Sequence, residues 1–211
     1  QLIHAHGIKN VRVLDRTFNY NPRRAKELLR LFLEFHPDIR FHLEIHPALL
    51  SEELKEELSL LPKGLLHLEA GIQSLREPVL EKSRRMGKLS DALDGLRFLC
   101  ALPNMETHAD LIAGLPLYHL HEIFEDVRTL AGYAAGEIQL ESLKLLPGTE
   151  MRRRAEELGI KYSPLPPYEV LQTHEISVSE LQTARQLSRL LDGFYLSLIH
   201  ISEPTRPLYI S

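Results

Sequence analysis

Charged and histidine side chains alternate with apolar ones in several short stretches of this sequence. In the stretch that starts at Phe41, FHLEIHP, every second residue is apolar and the others are His42, Glu44 and His46. The same alternation recurs in three later stretches, whose polar residues are His67 and Glu69, His108 and Asp110, and Glu137, Gln139 and Glu141. Side chains alternate between the two faces of a strand, so each stretch predicts a strand with one polar face. Together these faces predict a pocket of carboxylates and imidazoles that suits a polar or cationic ligand.

The strands that carry these faces fit a repeating βα unit. Strand-like stretches recur near Val11, Phe41, Leu65, Thr107 and Ile138, and spacings of roughly 25 to 40 residues leave room for a helix in each crossover. An open, doubly wound sheet buries both faces and has almost continuously apolar strands, which these are not. We therefore expect a curled parallel sheet, with helices outside and the polar faces inside.

Helical patterns lie between the strands. From Arg23 to Phe35 the apolar residues recur on one stripe, and Ser51 can cap a second helix that begins with two glutamates. Further helices are predicted at 89–101, 121–131 and 149–158, the last closed by Gly159, with a turn at Pro147 and Gly148 before it.

The composition of the sequence argues against several classes of function. The 211 residues hold 25 Lys and Arg against 29 Asp and Glu, a formal net charge of −4, which argues against a general nucleic-acid or membrane-surface binder. No apolar run approaches the ~20 residues of a membrane span, so we expect a soluble, cytoplasmic protein without nucleic-acid or membrane partners. The single cysteine, Cys100, cannot supply an iron–sulfur cluster with its several thiolates.

Five strings in order carry a family resemblance. They are DRTFN from Asp15, EIHP from Glu44, EAGIQS from Glu69, DLIAGLP from Asp110 and LKLLPGTEM from Leu143. Together they resemble radical S-adenosylmethionine (SAM) enzymes, over roughly residues 7–195. The middle three are similar to oxygen-independent coproporphyrinogen oxidase. DRTFN and the later PPYEVLQT look more like radical SAM proteins with an N-terminal cobalamin-binding domain.

The resemblance implies an α/β fold, a partial (β/α)6 TIM-like barrel of the radical SAM type that is truncated before strand 2. It divides the chain into a core barrel at 1–160, a C-terminal extension at 161–195 and a tail at 196–211. The tail contains LSLIHISEPTR and resembles a translated sequencing adapter, so we expect it to be non-native. The chain opens at Gln1 on what reads as a helix end, and it lacks the CxxxCxxC loop of the family. We expect a fragment that is inactive by itself.

The resemblance also implies cofactors and partners. The parent enzyme would bind SAM and a 4Fe-4S cluster, whose ligands this sequence lacks, and would take electrons from a reductant such as flavodoxin or ferredoxin. With a cobalamin-binding domain upstream, cobalamin would be a further cofactor. The cluster and SAM would generate a 5'-deoxyadenosyl radical that acts on a small-molecule substrate, which the sequence does not identify.

The cofactor-binding residues that the resemblance implies match the chemistry of SAM, which has an ammonium, a carboxylate, a sulfonium and a ribose diol. Acidic and hydroxyl side chains would accept from the ammonium and ribose or offset the sulfonium, Gln73 would bridge ribose and backbone, and Arg85 would bind the carboxylate, with Arg84 as a rival. The full set is Asp15, Thr17, Glu44, Glu69, Gln73, Ser74, Arg85, Asp110 and Gly114. No catalytic residue or metal ligand is assigned.

Alternatives remain open. Glu44 and Glu69 could instead pair with His42 and His67 in the cavity wall, and Gly114 could serve only chain turning. At the level of function, eleven histidines suggest a divalent-metal hydrolase on a (β/α) barrel. The His-x-His pairs at 4/6 and 119/121 argue against it, because they fall on a helix end and in a loop. A third hypothesis is an inactive, truncated product.

Overall fold

A computed structural model describes residues 6–133 and 136–195. Within them, five strands form one parallel sheet in the order β1-β2-β3-β4-β5, so each strand pairs with its neighbours in sequence. The strands are β1 (Asn10–Arg12), β2 (Arg40–Ile45), β3 (Leu66–Gln73), β4 (Glu106–Ala113) and β5 (Glu137–Ser142). The sheet curls into a half-barrel, as the alternation of polar and apolar residues predicts. All five predicted strands are present.

Helices cover the convex face of the sheet. They are α1 (Pro22–Leu33), α2 (Glu52–Leu60), α3 (Glu77–Lys82), α4 (Leu89–Ala101), α5 (Leu120–Ala131), α6 (Glu150–Arg153) and α7 (Val178–Leu190). Short 3-10 helices lie at Phe18–Tyr20 and Pro47–Leu49, and a π-helical turn lies at Leu191–Tyr195. The predicted Ser51 cap is confirmed, since its hydroxyl accepts from Leu54 N at 3.3 Å.

One predicted helix is shorter than expected. The pattern at 149–158 predicted a single helix, but α6 ends at Arg153 and the chain continues in turns to Gly159. The predicted Thr149 cap is present, accepting from Arg152 N. Beyond it, Ile160 N donates to Ala155 O at 2.8 Å across Gly159, whose φ of +63° ends the segment.

The apolar core lies between the sheet and the helices. Phe41, Leu43 and Ile45 of β2 are buried there, and the ring of Phe32 from α1 stacks on Phe41 with centroids 4.0 Å apart. The polar residues that alternate with them along β2 point to the opposite, concave face of the sheet, so that face is polar. The core explains the helix positions, because each helix buries one apolar stripe against the sheet.

A small hairpin follows the barrel. Its strands β6 (Lys161–Tyr162) and β7 (Val170–Gln172) are antiparallel and were not predicted from the sequence. Backbone hydrogen bonds from Val170 N to Leu143 O and from Leu145 N to Tyr168 O, 2.8 and 2.9 Å long, attach it to the segment after β5. α7 packs against β5 and α5, so the C-terminal segment is part of the same compact unit. The predicted tail at 196–211 lies outside the described residues.

Candidate functional site

The concave face of the sheet carries its polar side chains in layers, because neighbouring strands are paired in register. One layer joins Glu44 to Glu69, and Glu69 to His108. The next layer toward the carboxyl ends of the strands joins Gly71 to Asp110 and Asp110 to Gln139. In a parallel α/β sheet, ligands bind at the carboxyl ends of the strands, so this second layer is the candidate site.

Asp110 is the most perturbed carboxyl group of the concave face. Burial, the charge of Glu69, a hydrogen bond to Glu69 and the charges of Glu44 and Glu137 together raise the pKa of Asp110 to about 8. Its Oδ1 is buried and has no hydrogen-bond partner in the described part of the chain. At neutral pH this carboxyl therefore holds a proton and has one oxygen free for a ligand.

Arg85 reaches the same layer from the loop after α3. Its Nη2 donates to Gly71 O at 2.7 Å, while its Nε is buried without a partner among the described residues. A Cβ on Gly71 would lie 3.1 Å from that Nη2, so the absent side chain lets the guanidinium cross the strand. Burial lowers the pKa of Arg85, and the charge of Asp110 acts against this. The rival Arg84 points away and pairs with Glu150.

His46 is a further residue of the candidate site, and the sequence analysis did not assign it. It follows β2, is 3% exposed, and neither ring nitrogen has a partner within the described residues. Burial lowers the pKa of His46 to about 4, and the charge of Arg85 contributes, so the ring is neutral. Its backbone is held by Asn19, which donates to His46 O and accepts from His46 N, both at 2.9 Å. The alternation of EIHP did mark His46 as polar, but not its burial beside Arg85.

The layer nearer the amino ends of the strands is occupied by its own ion pairs. Glu69 accepts from His42 Nε2 and from Arg12, both at 2.7 Å, and Glu44 lies 3.4 Å from Arg12. The ring nitrogens Nε2 of His67 and His108 also contact each other. Burial, with the charges around it, lowers the pKa of His67 to about 3. Glu69 thus pairs with His42 and not with the predicted His67, and it also shares a hydrogen bond with Asp110.

These histidines are not arranged for a metal ion. No group of three or more His, Cys, Asp or Glu side chains in the described residues has the geometry to hold one. Arg40 donates to His67 Nδ1 at 2.6 Å, which places the ring proton on Nε2, the nitrogen that faces His108. The pair 119/121 was predicted to lie in a loop, but only His119 precedes α5, as its N-cap, and His121 lies in the first turn of that helix; His4 is outside the described residues.

The remaining predicted residues lie at the rim or outside the cluster. Asp15 is paired with Arg24 at 2.5 Å, which lowers the pKa of Asp15, and Thr17 N donates to Asp15 Oδ1 at 3.3 Å. Gln73 ends β3 with a φ of 71°. Gly114, with φ +90°, faces Val170 and Leu181 of the C-terminal segment, whose side-chain atoms lie 3.3 and 3.6 Å from the position of a Cβ.

Ser74 belongs to a buried network behind the sheet. Its hydroxyl lies 3.4 Å from Asp126 Oδ2, which also accepts from Tyr118 at 2.6 Å and from Leu75 N at 2.8 Å. Arg76 Nε completes the set at 2.9 Å from Asp126 Oδ1. The structure thus brings Glu44, Glu69, Arg85 and Asp110 together and directs Ser74 elsewhere.

Comparison of the structure with solved structures identifies this fold. One of the similar structures is the radical SAM methyltransferase TsrM from Kitasatospora setae, solved with cobalamin and a [4Fe-4S] cluster. It superposes with a TM-score of 0.62 at 20% sequence identity, and the match covers 88% of this chain and 39% of TsrM. The chain has the radical SAM fold.

Two other solved structures share the radical SAM fold. Elp3 from Methanocaldococcus infernus gives a TM-score of 0.55 at 14% identity, over 70% of this chain and 40% of that one. Coproporphyrinogen III oxidase (HemN) from Escherichia coli, a radical SAM enzyme, gives 0.50 at 16% identity, over 67% and 38%. The chain therefore spans about two fifths of the length of these proteins.

Sequence comparison adds one match and one negative result. A family model described as a protein of unknown function (DUF4080) matches residues 156–200, which is the end of the barrel segment, the hairpin and α7. No curated protein matches the chain. Among the described residues, no helix has the length and apolarity to cross a lipid bilayer.

Proposed function

We propose that this chain is the SAM-binding core of a radical SAM enzyme. The observation that carries the proposal is the juxtaposition of Asp110 Oδ1 and Arg85 Nε, two buried polar atoms without partners in the described residues, at the carboxyl ends of the strands of a radical SAM fold. Buried polar atoms are normally hydrogen-bonded, so this pair is explained most simply by a ligand that carries both an acceptor and a donor.

SAM has the groups that these atoms would bind. Its carboxylate suits the planar fork of Arg85, which the 2.7 Å bond to Gly71 O already holds in place. Its sulfonium and ammonium suit the carboxyl groups of Asp110, Glu69 and Glu44. Asp15 and Thr17 would be recruited at the rim only if Asp15 exchanged its partner Arg24 for the ammonium. With an electron supplied from outside this sequence, bound SAM would supply the radical chemistry of a radical SAM enzyme, and the residues of this chain would hold and orient it.

An iron–sulfur cluster does not fit the residues of this sequence. Cluster binding takes several thiolates, and the chain has one cysteine. Burial in α4 raises the pKa of Cys100 to about 11, so this thiol is protonated at neutral pH. The cluster, its reductant such as flavodoxin or ferredoxin, and a cobalamin-binding region would all rely on residues outside this sequence, and we assign no electron-transfer step to the chain.

The residues of the chain would bind SAM, orient it and release a proton when it binds. Arg85 would fix the amino-acid end of SAM, and the absence of a side chain at Gly71 would allow close approach. Asp110 starts protonated, because it is buried and its neighbours are carboxylates, both of which raise its pKa. A bound cation would lower that pKa, so SAM binding near neutral pH should release protons from the Asp110–Glu69 pair.

Isothermal titration calorimetry with SAM and with S-adenosylhomocysteine tests the proposal. We expect SAM to bind more tightly, because only SAM has a sulfonium, and the heat to depend on the ionisation enthalpy of the buffer, because protons are released. Arg85→Gln should weaken SAM binding about tenfold or more, since hydrogen bonds to charged groups contribute about 1.5–3 kcal/mol.

Arg128→Gln is the matched control, because it removes the same charge from another arginine. Arg128 is exposed on α5, away from the concave face, so its loss should leave SAM binding unchanged. Absence of binding at millimolar SAM, or equal weakening by both substitutions, would contradict the proposal.

A further inference from the structure

A second cavity lies outside the barrel, between the turns after α6 and the β6–β7 hairpin. Its volume is about 700 Å³, within the range of about 300–1,000 Å³ that is typical of small-molecule sites. None of its lining residues comes from the five-stranded sheet. Eight of the eleven lie in the segment 156–200 that the family model of unknown function matches.

Positively charged side chains that form no ion pair concentrate in this cavity. Arg152, Arg153 and Lys161 line it, against one carboxylate, Glu156. Across the described residues, none of these three cations lies within ion-pairing distance of a carboxylate, whereas the adjacent Arg154 pairs with Glu157 at 2.8 Å. The chain as a whole has a net charge of −4, so this local excess of cations runs against its overall charge. The cavity therefore favours an anion.

Arg152 is held in position before any ligand arrives. Its Nη1 donates to Leu145 O at 3.0 Å, and its guanidinium carbon lies 5.1 Å from the Tyr162 ring centroid and 4.7 Å from that of Tyr168. These contacts fix the plane of the guanidinium and leave its other N–H groups available. A fixed planar fork binds an oxyanion at a lower cost in side-chain entropy than a free one does.

The opposite wall is shaped by a glycine. Gly159 has a φ of +63°, and a Cβ there would lie 1.3 Å from His174 Cδ2, so the imidazole occupies the space that any other residue would fill. The ring lines the cavity and can offer an N–H to a ligand. His174 and the three cations thus place hydrogen-bond donors on both walls.

We propose that this cavity binds the phosphate group of a small molecule. A phosphate monoester is a dianion with several acceptor oxygens, which matches a fixed arginine fork, two further cations and an imidazole donor. The site is independent of SAM binding, because it shares no residue with the concave face of the barrel. It gives the segment of unknown function a ligand class that can be tested directly.

The experiment is a calorimetric titration of the full chain with inorganic phosphate, adenosine monophosphate and adenosine. We expect both phosphates to bind and adenosine not to bind. The double substitution Arg153→Gln/Lys161→Gln should weaken the binding of both phosphates about tenfold or more, and His174→Ala should weaken it less. The side chains of Arg153 and Lys161 are exposed, so the double variant should unfold at the same temperature as the parent.

Lys63→Gln/Arg128→Gln is the control with the same change in net charge, placed on exposed residues away from the cavity. It should change phosphate affinity less than twofold. Binding of inorganic phosphate without the nucleotide would support the site and identify free phosphate as the source. No binding of either phosphate at millimolar concentration, or equal weakening in the control, would overturn the proposal. SAM titration of the same variants should be unchanged, which separates this result from the barrel site.

Discussion

The protonated carboxyl group of Asp110 should make the stability of the protein fall as the pH rises above neutrality. Its ordinary pKa is 3.8, and burial followed by the nearby carboxylates raises it to about 8 in the folded chain. Between these values the folded state holds a proton that the unfolded state has released. The contribution of Asp110 to stability is therefore complete below about pH 4 and is lost as the pH rises through about 8.

The size of the effect follows from proton linkage. One proton bound only in the folded state gives a slope of about 1.4 kcal/mol per pH unit. The buried histidines act in the opposite direction, because their pKa values are lowered, to about 4 for His46 and about 3 for His67. Their contribution is complete above pH 6.5 and is lost as the pH falls toward those values. Between pH 6.5 and 8 Asp110 acts without these opposing contributions, and the loss should be about 2 kcal/mol.

Urea unfolding followed by circular dichroism, in small pH steps from 6.5 to 8, measures this slope. Asp110→Asn keeps the shape of the protonated carboxyl group and removes its titration, so the variant should lose little stability over that range. Glu69→Gln should reduce the slope, because the neighbouring negative charge is gone. Glu141→Gln should keep the slope of the parent. A parent curve that is flat above pH 6.5, or an Asp110→Asn variant with the slope of the parent, would refute the reasoning.

Three further predictions concern the core. Gly95→Ala should destabilise the protein by about 1–3 kcal/mol in urea unfolding, because the new Cβ would lie 2.2 Å from the backbone oxygen of Pro47. In an exposed helix the same change stabilises, and Asp94→Ala at the exposed neighbouring position is the control. Tyr118→Phe should cost about 1–3 kcal/mol by removing the 2.6 Å hydrogen bond to buried Asp126, and an unchanged unfolding midpoint would argue against that network. Cys100 should react with iodoacetamide at pH 8 far more slowly than a free thiol, because burial raises the pKa of Cys100 to about 11. Mass spectrometry measures the rate of labelling, and labelling as fast as that of glutathione would contradict this prediction.

The sheet could be predicted from the sequence because the alternation of polar and apolar residues is visible within each short strand. The alternation in FHLEIHP fixes which residues of β2 face the core, and the structure buries Phe41, Leu43 and Ile45 as that pattern requires. The parallel direction of the strands followed from their spacing, which leaves room for one helix in each crossover. The bounds of α4 at Leu89–Ala101 also match the prediction, since its apolar period is clear.

The contents of the site were harder to predict, because they depend on contacts between distant segments. The sequence marked Ser74 as part of a motif, but its partner Asp126 lies on α5, and only the folded chain shows that this serine turns away from the concave face. Arg84 and Arg85 are adjacent, and nothing local decides which reaches Gly71. The predicted length of α6 was wrong for a related reason, because Arg152 at its end contacts Leu145 O, Tyr162 and Tyr168, and these tertiary contacts are not visible in the local pattern.

The apolar core of this half-barrel lies on one side of the sheet, and this has a consequence for how the protein can change. Substitutions at Glu44, Glu69 or Asp110 alter charge on the concave face without removing any of the apolar contacts of Phe41, Leu43 and their neighbours. Ligand preference can therefore vary over generations while the scaffold is retained. The limit on such variation is charge balance, since each carboxylate lost leaves a cation such as Arg12 to be satisfied by something else.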